Sequence, residues 1–588
     1  MHSDTELPHR SRMFIVLVAV LQGGLMYLAQ KGHALGWWPF AVLGGRVCWY
    51  TLVLTVPTMM ALSVACLRDV RFWQHAGVLA ALFLALAAWA GWNASGAPGL
   101  HAAAVLAPFG VTVALAAFVL LPWLQCRLAH GRWRAPYPEL FEHAWQNALT
   151  LALAALFTGI CWMVLQLWAG LFALVEINFF RDLFREDAFI HLATGAMAGL
   201  GILIGRTRQR AIQVARQILF AIFKGLLPLL AFIAFLFIAS LPFTGLQPLW
   251  ETRSAAALLV SVVALLVLFL NAVYQDGADR TPYPAWLRRV VQAALAVLPV
   301  YALLALVALG LRIGQYGWTA DRVWAALASV LATAYAFGYA WSALRGGDWL
   351  RPLPMVNRAL SWAVVTVALL ANTPLLDPHR IAVASQLDRL DDGRTTAAEV
   401  DLAYLRFESG RRGYQAARSL REHPAFTASP ADMETLEEVL ARTGRWSAWP
   451  SATGEPLDME GLRAHVEIAS GSVDPGDAWW EALARGGDCR GDSPCILLTP
   501  DLDADGRQEV LLCQVNWPSG GNCTLFARSE EGAWMHTART ILRASGPDSR
   551  RELLEDLRAG RVVAVPRRWP DLRIGDGARH SLAPLEDD

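Results

Sequence analysis

Residues 361–393 read SWAVVTVALLANTPLLDPHRIAVASQLDRLDDG, and the chain changes character within them. The first part is an apolar run that reaches Leu376, and the second part is rich in charged residues. A helix needs about 20 mainly apolar residues to cross a bilayer. No comparable run follows Leu376. The sequence therefore predicts membrane spans before this point and a part outside the membrane after it.

The composition supports a membrane protein. Of the 588 residues, 55% are hydrophobic and 17% are charged, whereas soluble domains are about 25% charged. The 25 tryptophans suit the aromatic belts at membrane interfaces. Lys+Arg and Asp+Glu are 50 each, so bulk charge predicts no nucleic-acid partner. The predicted partner of most of the chain is the lipid bilayer.

Eleven apolar segments are long enough to be spans. The first follows Arg10 and Arg12 and has no cleavage site after it, so it is predicted to be a retained helix. The segments at 46–66 and 188–205 have the weakest apolar character. The eleven segments are 13–30, 46–66, 76–93, 101–124, 147–175, 188–205, 219–239, 254–275, 290–311, 323–344 and 359–376.

The loop charges predict the orientation, because cytoplasmic loops carry an excess of Lys and Arg. With the N-terminus in the cytoplasm, the inside loops carry 18 Lys and Arg and the outside loops carry 7. An odd number of crossings then places everything after Leu376 on the extracytoplasmic side.

Few polar groups interrupt the spans. Gln166, Asn271 and Gln292 are the main ones, and hydrogen bonds between helices explain them. This scarcity argues against a proton- or sodium-coupled transporter. In the sixth span, the pairs Gly195/Gly199 and Gly201/Gly205 are each four residues apart, which predicts two close-packing seams.

Glu139, Glu142, His143 and Gln146 share one helix face at the start of the fifth span. A metal or proton site is one interpretation of this face. A hydrated helix end is the other, and it is the favoured one.

Four cysteines cluster in the polar tail, namely Cys489, Cys495, Cys513 and Cys523. Close cysteines outside the membrane predict disulfides and an oxidising compartment. The favoured pairs are Cys489–Cys495 and Cys513–Cys523, because each closes a short loop. Zinc is the alternative, although the spacing lacks the C-x₂-C pairs of zinc sites.

The tail is predicted to have two parts. Residues 377–474 form a neck or linker of three helices. The first ends at Gly393, the second (AAEVDLAYLRFESG) follows a capping box at Thr396 and Glu399, and the third begins at Ser429-Pro430. Residues 475–588 form a small extracytoplasmic α+β domain. Its predicted strands include CILLT, EVLLCQV, CTLFAR and AWMHTART.

The segment PDLDADGRQEVLL, residues 500–512, resembles a cation-binding loop. Asp501, Asp503, Asp505 and Glu509, with the carbonyl group of Arg507, offer the oxygen ligands that calcium prefers. The loop is not an EF-hand, because the twelfth position is Leu512. Two interpretations stay open: a calcium hairpin, or an Asp/Gly-rich hairpin that only turns the chain. No other cofactor is predicted.

Several stretches resemble a known family. HAWQNALTLALAALFTGICWMVLQLWAGLF, INFFRDLFREDAF, RIGQYGWTADRVWA and NTPLLDPHRIAVASQLDRLDDGRTTAAEVDLAYLRFESGRRGY are similar to bacterial membrane proteins of the domain-of-unknown-function 4153 family. The resemblance covers most of residues 10–420. It implies a polytopic protein of the bacterial inner membrane with an extracytoplasmic C-terminal part, and it assigns no catalytic residue.

The sequence predicts a mainly α, polytopic helix bundle of about eleven spans (residues 1–376), followed by the neck and the α+β domain. The favoured function is an envelope scaffold or sensor whose outer domain binds an envelope protein or ligand. A transporter of an apolar or lipid-like substrate is the alternative. An enzyme that acts on envelope components is the third hypothesis, and the sequence lacks the common catalytic motifs G-x-S-x-G, H-E-x-x-H and the P-loop.

Overall fold

The computed structural model describes two compact units, residues 1–447 and 448–588. The described residues are 7–247, 255–277, 282–345, 349–442, 459–486, 489, 494–502, 506–516, 520–528, 534–542, 547–563, 572–573 and 579–580. The first unit contains a helix bundle and further helices that pack on one end of it. The second unit contains a β-sheet with helices on both faces.

The helices of the bundle follow the predicted spans. They are α1 (His9–Ala34), α2 (Leu43–Ser63), α3 (Val70–Asn93), α4 (Ala102–His130), α5 (Tyr137–Ala173), the short α6 (Phe179–Leu183), α7 (Asp187–Thr207), α8 (Gln209–Thr244), α9 (Ala255–Tyr274), α10 (Ala285–Tyr316), α11 (Ala320–Leu344) and α12 (Leu353–Leu370). Within the described residues, ten of them have the length and apolar composition of a membrane span. The predicted polytopic α-helical fold is therefore confirmed.

The remaining long helix, α2, does not reach that composition, because its segment includes Arg46, two glycines and Pro57. Its 21 residues nevertheless extend about 31 Å at 1.5 Å per residue. The start of α2 packs on the end of α3, where the backbones of Gly44 and Gly91 come into contact. Its end lies beside the start of α1, so α2 runs the length of the bundle like its neighbours.

Side-chain hydrogen bonds define one end of the bundle, which we call the N-terminal end. Ser11 Oγ at the start of α1 donates to the Ala65 carbonyl oxygen just after α2, at 3.0 Å. Asn357 Nδ2 near the start of α12 donates to Tyr137 Oη at the start of α5, at 3.1 Å. Gln125 Nε2 near the end of α4 donates to the Leu62 carbonyl oxygen of α2 at 3.0 Å and to Asn147 Oδ1 of α5 at 3.2 Å. The starts of α1, α5 and α12 therefore lie at the same end as the end of α2.

The opposite end carries the helices that follow the last span. They are α13 (Pro378–Asp391), α14 (Gly410–Ser419), α15 (Pro424–Thr427) and α16 (Pro430–Ala441), and we call residues 378–441 the cap. The backbone N–H of His101, before α4, donates to the Phe407 carbonyl oxygen at 2.9 Å. The N–H of Ala320, at the start of α11, donates to Tyr404 Oη at 2.8 Å. The cap is therefore packed on the loops at this end.

The paired glycines of α7 lie in two helix contacts, as predicted. A Cβ on Gly199 would lie 2.7 Å from the Ala19 Cβ of α1, and a Cβ on Gly201 would lie 2.6 Å from the Ala154 Cα of α5. Helix α7 is thus wedged between α1 and α5, with one glycine pair on each side. Small residues at such contacts let helix backbones approach closely, which replaces the missing hydrophobic drive between helices in lipid.

Three polar side chains in the second half of the bundle form hydrogen bonds with one another. Asn271 Nδ2 donates to Tyr339 Oη at 2.7 Å, and Tyr339 Oη donates to Asn357 Oδ1 at 2.8 Å. Asn357 Nδ2 also donates to Asn271 Oδ1 at 2.7 Å. Asn271 therefore joins α9 to α11 and α12, which confirms the prediction that it makes a hydrogen bond between helices.

The cap matches several predicted signals. Helix α13 begins after Asp377 and ends just before Gly393, and the Thr396/Glu399 capping box is present. It caps only a 3₁₀ turn, because a π-helical segment, Tyr404–Glu408, interrupts the predicted second helix. Ser429 Oγ accepts from Asp432 N at the start of α16. The first unit extends past the predicted boundary at residue 376, because these helices pack against the bundle.

The second unit is a five-stranded sheet in the order β1-β2-β3-β4-β5. Its strands are β1 (Val466–Ile468), β2 (Cys495–Leu498), β3 (Val510–Asn516), β4 (Gly520–Arg528) and β5 (Trp534–Leu542); a separate pair is β6 (Leu572–Arg573) and β7 (Arg579–His580). Only the β1–β2 pair within the five-stranded sheet is parallel. Strand β1 lies before the predicted domain start at 475; with three residues, it is too short to give an alternating pattern.

Helices cover both faces of this sheet. They are α17 (Met459–His465), α18 (Asp477–Gly486) and α19 (Pro547–Arg558). Cys495 and Leu497 pack in one apolar cluster with Trp479 and Trp480, while the alternate residues of β2 pack in a second cluster with Leu557 of α19. Because β2 is buried on both faces, it appears in the sequence as a continuous apolar run.

Substitution of Gly201 tests the α5–α7 contact. We expect Gly201→Ala to destabilise the bundle by about 1–3 kcal/mol, because the added methyl group meets backbone atoms of α5. Gly159→Ala, on α5, is the matched control: nothing lies within 4 Å of its Cβ position, and alanine favours helix. Thermal unfolding of the purified chain in detergent measures both changes. Equal changes in the unfolding temperature of the two variants would contradict the close contact between α5 and α7.

Candidate functional site

The described part of the bundle's cap end contains a buried carboxylate, Asp377. It is 1% exposed and stands between the last span and α13. The sequence LLDPH explains its position: aspartate is a preferred N-cap residue, and Pro378 suits the first helical position. Asp377 Oδ1 accepts from His379 N at 3.0 Å and from Arg380 N at 3.4 Å. The carboxylate therefore fixes the start of α13.

The other oxygen of Asp377 joins the cap to the bundle. Oδ2 accepts from Asn93 Nδ2 at the end of α3, at 3.0 Å, and lies 3.3 Å from Arg412 Nε of α14. We call Asn93, Asp377 and Arg412 the cap junction. Asp377 thus accepts three hydrogen bonds and forms one ion pair, all within the protein. These contacts are those of a positioning group that holds α13, α3 and α14 together.

Two neighbouring arginines reinforce this contact. The guanidinium carbon of Arg412 lies 5.3 Å from the ring centroids of both Trp89 and Trp92, and that of Arg411 lies 4.9 Å from the Trp92 ring. Arg411 Nε also donates to the Ser95 carbonyl oxygen at 2.9 Å. Each such cation–π contact contributes about 0.5–1 kcal/mol at partly exposed sites. Together they hold α14 against the end of α3.

Gly410 is required at the start of α14. Its φ is +64°, a conformation that side chains with a Cβ rarely adopt. A Cβ at this position would lie 2.8 Å from the carbonyl oxygen of Asn93. The glycine therefore allows the cap backbone to reach α3 closely enough for Arg412 to meet Asp377.

His379 is the titratable group nearest to the cap junction. It is 4% exposed, and its Nδ1 has no hydrogen-bond partner among the described residues. Burial lowers the pKa of His379, while the negative charges of Asp377 and Asp321 act in the opposite direction. Burial therefore favours the neutral form of the imidazole.

A buried arginine fixes the cap on its other side. Arg406 is 1% exposed, and its Nη2 donates to the Pro98 carbonyl oxygen at 2.8 Å. Its guanidinium carbon lies 4.7 Å from the ring centroids of Phe407 and Tyr414. Burial lowers the pKa of Arg406, with Tyr414 acting in the opposite direction. Arg406 therefore ties the π-helical segment to the α3–α4 loop.

The acidic loop of the second unit is held by its own backbone. Asp501 Oδ2 accepts from Gly506 N at 3.1 Å, and Glu509 Oε2 accepts from Leu502 N at 2.7 Å. Arg507 is exposed. Asp503 and Asp505 lie outside the described residues. Among the described residues, no group of three or more His, Cys, Asp or Glu is placed to hold a metal ion, so calcium binding stays a prediction.

The four tail cysteines form two disulfides, which confirms the prediction of disulfides in this region. Cys489 is bonded to Cys495, and Cys513 is bonded to Cys523. Cys513 and Cys523 face each other directly on β3 and β4. One bond therefore ties Cys489 to the first residue of β2, and the other joins β3 to β4.

The polar face at the start of α5 is occupied by local partners. Glu139 accepts from His130 Nε2 at 2.6 Å, and Glu142 accepts from Arg216 Nη1 at 2.5 Å. Gln146 Nε2 donates to the Gly205 carbonyl oxygen at 3.1 Å. These contacts join helix ends and agree with the favoured interpretation of a hydrated helix end.

Sequence analysis assigned no role to the cap-junction residues. Asp377 has the signal of a helix N-cap, and Arg412 lies in the quoted stretch ESGRRGY. Neither signal indicates a partner on α3, because Asn93 and Asp377 are 284 positions apart in the chain. The interaction depends on the packing of the whole bundle.

Residues 54–420 match the profile of the domain of unknown function DUF4153. The chain belongs to the DUF4153 family. The match begins within α2 and ends just after α14, so it includes the cap junction and most of the bundle. The α+β unit lies outside it. No curated protein and no solved structure matches the chain.

Removal of the Asp377 carboxylate tests the cap junction. We expect Asp377→Ala to destabilise the docking of α13 by roughly 2–3 kcal/mol, because a helix cap and a buried charged hydrogen bond are both lost. The control is Asp392→Ala at the other end of α13, where the ion pair with Arg394 is exposed and contributes at most about 1 kcal/mol. Hydrogen exchange of residues 378–391 in the full chain measures the difference. Similar exchange in both variants would contradict the role of Asp377.

Proposed function

We propose that this DUF4153 protein is a non-enzymatic scaffold or sensor of the bacterial inner membrane. In this proposal the bundle anchors the chain, the cap connects the bundle to the tail, and the α+β unit binds a protein or ligand of the cell envelope. The observation that carries the proposal is the cap junction. It joins the last span to α3 and α14 through one buried carboxylate whose three hydrogen bonds and ion pair are all made within the protein, which suits a mechanical connection better than a reaction centre.

The charge distribution supports the orientation in this proposal. The loops at the N-terminal end carry most of the Lys and Arg of the short loops, which favours the cytoplasmic side. Because the cap lies at the opposite end of the bundle, it is then extracytoplasmic. The two disulfides in the second unit agree with an oxidising compartment.

A hydrogen-bonded carboxylate in the α+β unit agrees with an extracytoplasmic location. Trp480 Nε1 donates to Asp474 Oδ1 at 2.9 Å, and Gly476 N donates to the same oxygen at 2.9 Å. These two bonds lower the pKa of Asp474, so the carboxylate stays charged in mildly acidic surroundings. We propose that its acidic hairpin, residues 500–512, binds calcium when Asp503 and Asp505 complete the ligand set.

A carrier of an apolar or lipid-like substrate is the second candidate. A cavity of about 480 Å³ at the cap end favours it, with Trp89, Trp92 and Asn372 among its lining residues. Such a substrate needs no buried charge along its route, which agrees with the few polar residues in the spans. The cavity lies beside the cap junction, so movement of the cap would change access to it.

Topology reporters test the orientation. We expect alkaline phosphatase fused after Asp588 to be active and a fluorescent protein fused there to be dark, because only the former matures outside the cytoplasm. Fusions at Gly131 and Gly96, at opposite ends of the bundle, should give opposite results and serve as internal controls. A bright fluorescent protein at the C-terminus would contradict the proposed location.

Complementation tests the role of the α+β unit. We expect a strain that lacks this protein to show altered envelope-stress response or lipid composition, and we expect the full chain to restore both. A chain of residues 1–442 should accumulate in the membrane but fail to restore them. If the shortened chain restores everything, the α+β unit is not the binding element, and the carrier becomes the better hypothesis.

A further inference from the structure

A second cavity of about 560 Å³ lies at the cap end, between the end of α10 and one face of α13. Arg380, Arg389 and Arg394 line it, together with one acidic residue, Asp388. Three arginines against one aspartate give the wall a net positive charge. The site is therefore suited to an anion, and its volume is within the range of small-molecule sites.

One of the arginines is already used by the protein. Arg389 Nη2 donates to the Gln315 carbonyl oxygen at 3.0 Å, and its Nη1 donates to the Gly314 carbonyl oxygen at 3.4 Å. These carbonyls end α10, where the helix dipole is negative. Arg389 thus neutralises the end of α10 and removes a repulsion that an anion in the cavity would otherwise meet.

The other two arginines are available. Arg380 is exposed, and the described residues offer its guanidinium group no hydrogen bond or ion pair. Arg394 pairs with Asp392, but both side chains are more than half exposed, so this pair is weak. Arginine presents several N–H donors in a planar fork that matches the oxygens of a phosphate group.

Part of the wall is apolar, and it adjoins the end of a membrane-spanning helix. Ile313 belongs to the last turns of the membrane-spanning helix α10, and Ile381 and Ala384 extend the apolar surface along α13. Tyr316 ends α10 and Trp318 lies in the loop after it, and both are residue types that concentrate at the headgroup level of bilayers. The cavity thus combines a cationic wall with an apolar wall at the depth where lipid headgroups lie.

We propose that this cavity binds the phosphate group of an anionic phospholipid from the leaflet that borders the cap. Arg380 and Arg394 contact the phosphate oxygens, and Ile313, Ile381 and Ala384 contact the first carbons of the acyl chains. The bound lipid then joins α10 to α13 and stabilises the docked cap. This inference concerns the first unit and does not depend on the role proposed for the α+β unit.

Lipid titration of the purified full chain in neutral detergent tests the proposal. The probes are dioctanoyl phosphatidylglycerol, dioctanoyl phosphatidylcholine and inorganic phosphate, with bound lipid counted by native mass spectrometry. We expect the anionic lipid to bind at least about tenfold more tightly than the zwitterionic lipid. Arg380→Gln should weaken the binding of the anionic lipid about tenfold, which corresponds to ~1.4 kcal/mol. The double variant, Arg380→Gln with Arg394→Gln, should bind this lipid still more weakly.

Arg418→Gln is the matched control. Arg418 is an exposed arginine of the cap that lies over Tyr414 and does not line the cavity, so its removal should leave lipid binding unchanged. Thermal midpoints in lipid-free detergent verify that all variants are folded. Hydrogen exchange of residues 378–391 should slow when the anionic lipid binds the wild-type chain but not the double variant.

Other results of these experiments would contradict the proposal in whole or in part. Equal binding of the two lipids, or wild-type binding by the double variant, overturns the proposal. If inorganic phosphate displaces the anionic lipid at equal concentration, the cavity is a phosphate site. The proposal that its ligand is a membrane lipid is then wrong. Loss of lipid binding in Arg418→Gln as well would show a general surface charge effect and would also overturn the site.

Discussion

A single buried carboxylate determines how the cap meets the bundle. Asp377 stands where the last span ends, and it accepts hydrogen bonds from α3 and α13 and forms an ion pair with α14. A carboxylate in such a position is costly to leave without partners, so the folded state requires α3, α13 and α14 to be in place together. The point near Leu376 where the sequence becomes polar is therefore a place where the bundle and the cap are held in a fixed arrangement.

Several arginines of the cap hold it on the bundle by donating hydrogen bonds to backbone carbonyl oxygens. Arg406 and Arg411 donate to carbonyl oxygens of the α3–α4 loop, and Arg389 donates to carbonyl oxygens that end α10. These positive charges lie on the side where the short loops carry few Lys and Arg. They do not conflict with the predicted orientation, because the charge bias acts through short loops and not through folded segments that follow the last span.

The sequence predicted the elements of the fold better than their contacts. Long apolar runs and the glycine spacing of α7 depend on local pattern, so ten spans and the two seams could be predicted. Helix α2 remained uncertain because Arg46 and Pro57 reduce its apolar character, and only its packing on α1 and α3 shows that it runs the full length. The partners of Asp377 and the positive wall beside α13 could not be predicted, because each joins residues far apart in the chain.

Helix α12 contributes to both apolar cores of the bundle. Leu353 and Val356 pack in the core formed with α8 to α11, and Val365 packs in the core formed with α1 to α4. Trp123 of α4 also donates to Ser361 at 3.2 Å. Because α12 is the last span to leave the ribosome, neither core can close during translation until nearly two thirds of the chain has been made. Assembly of the bundle is therefore completed by one late insertion step that fills both halves at once, before the cap and the α+β unit have been made.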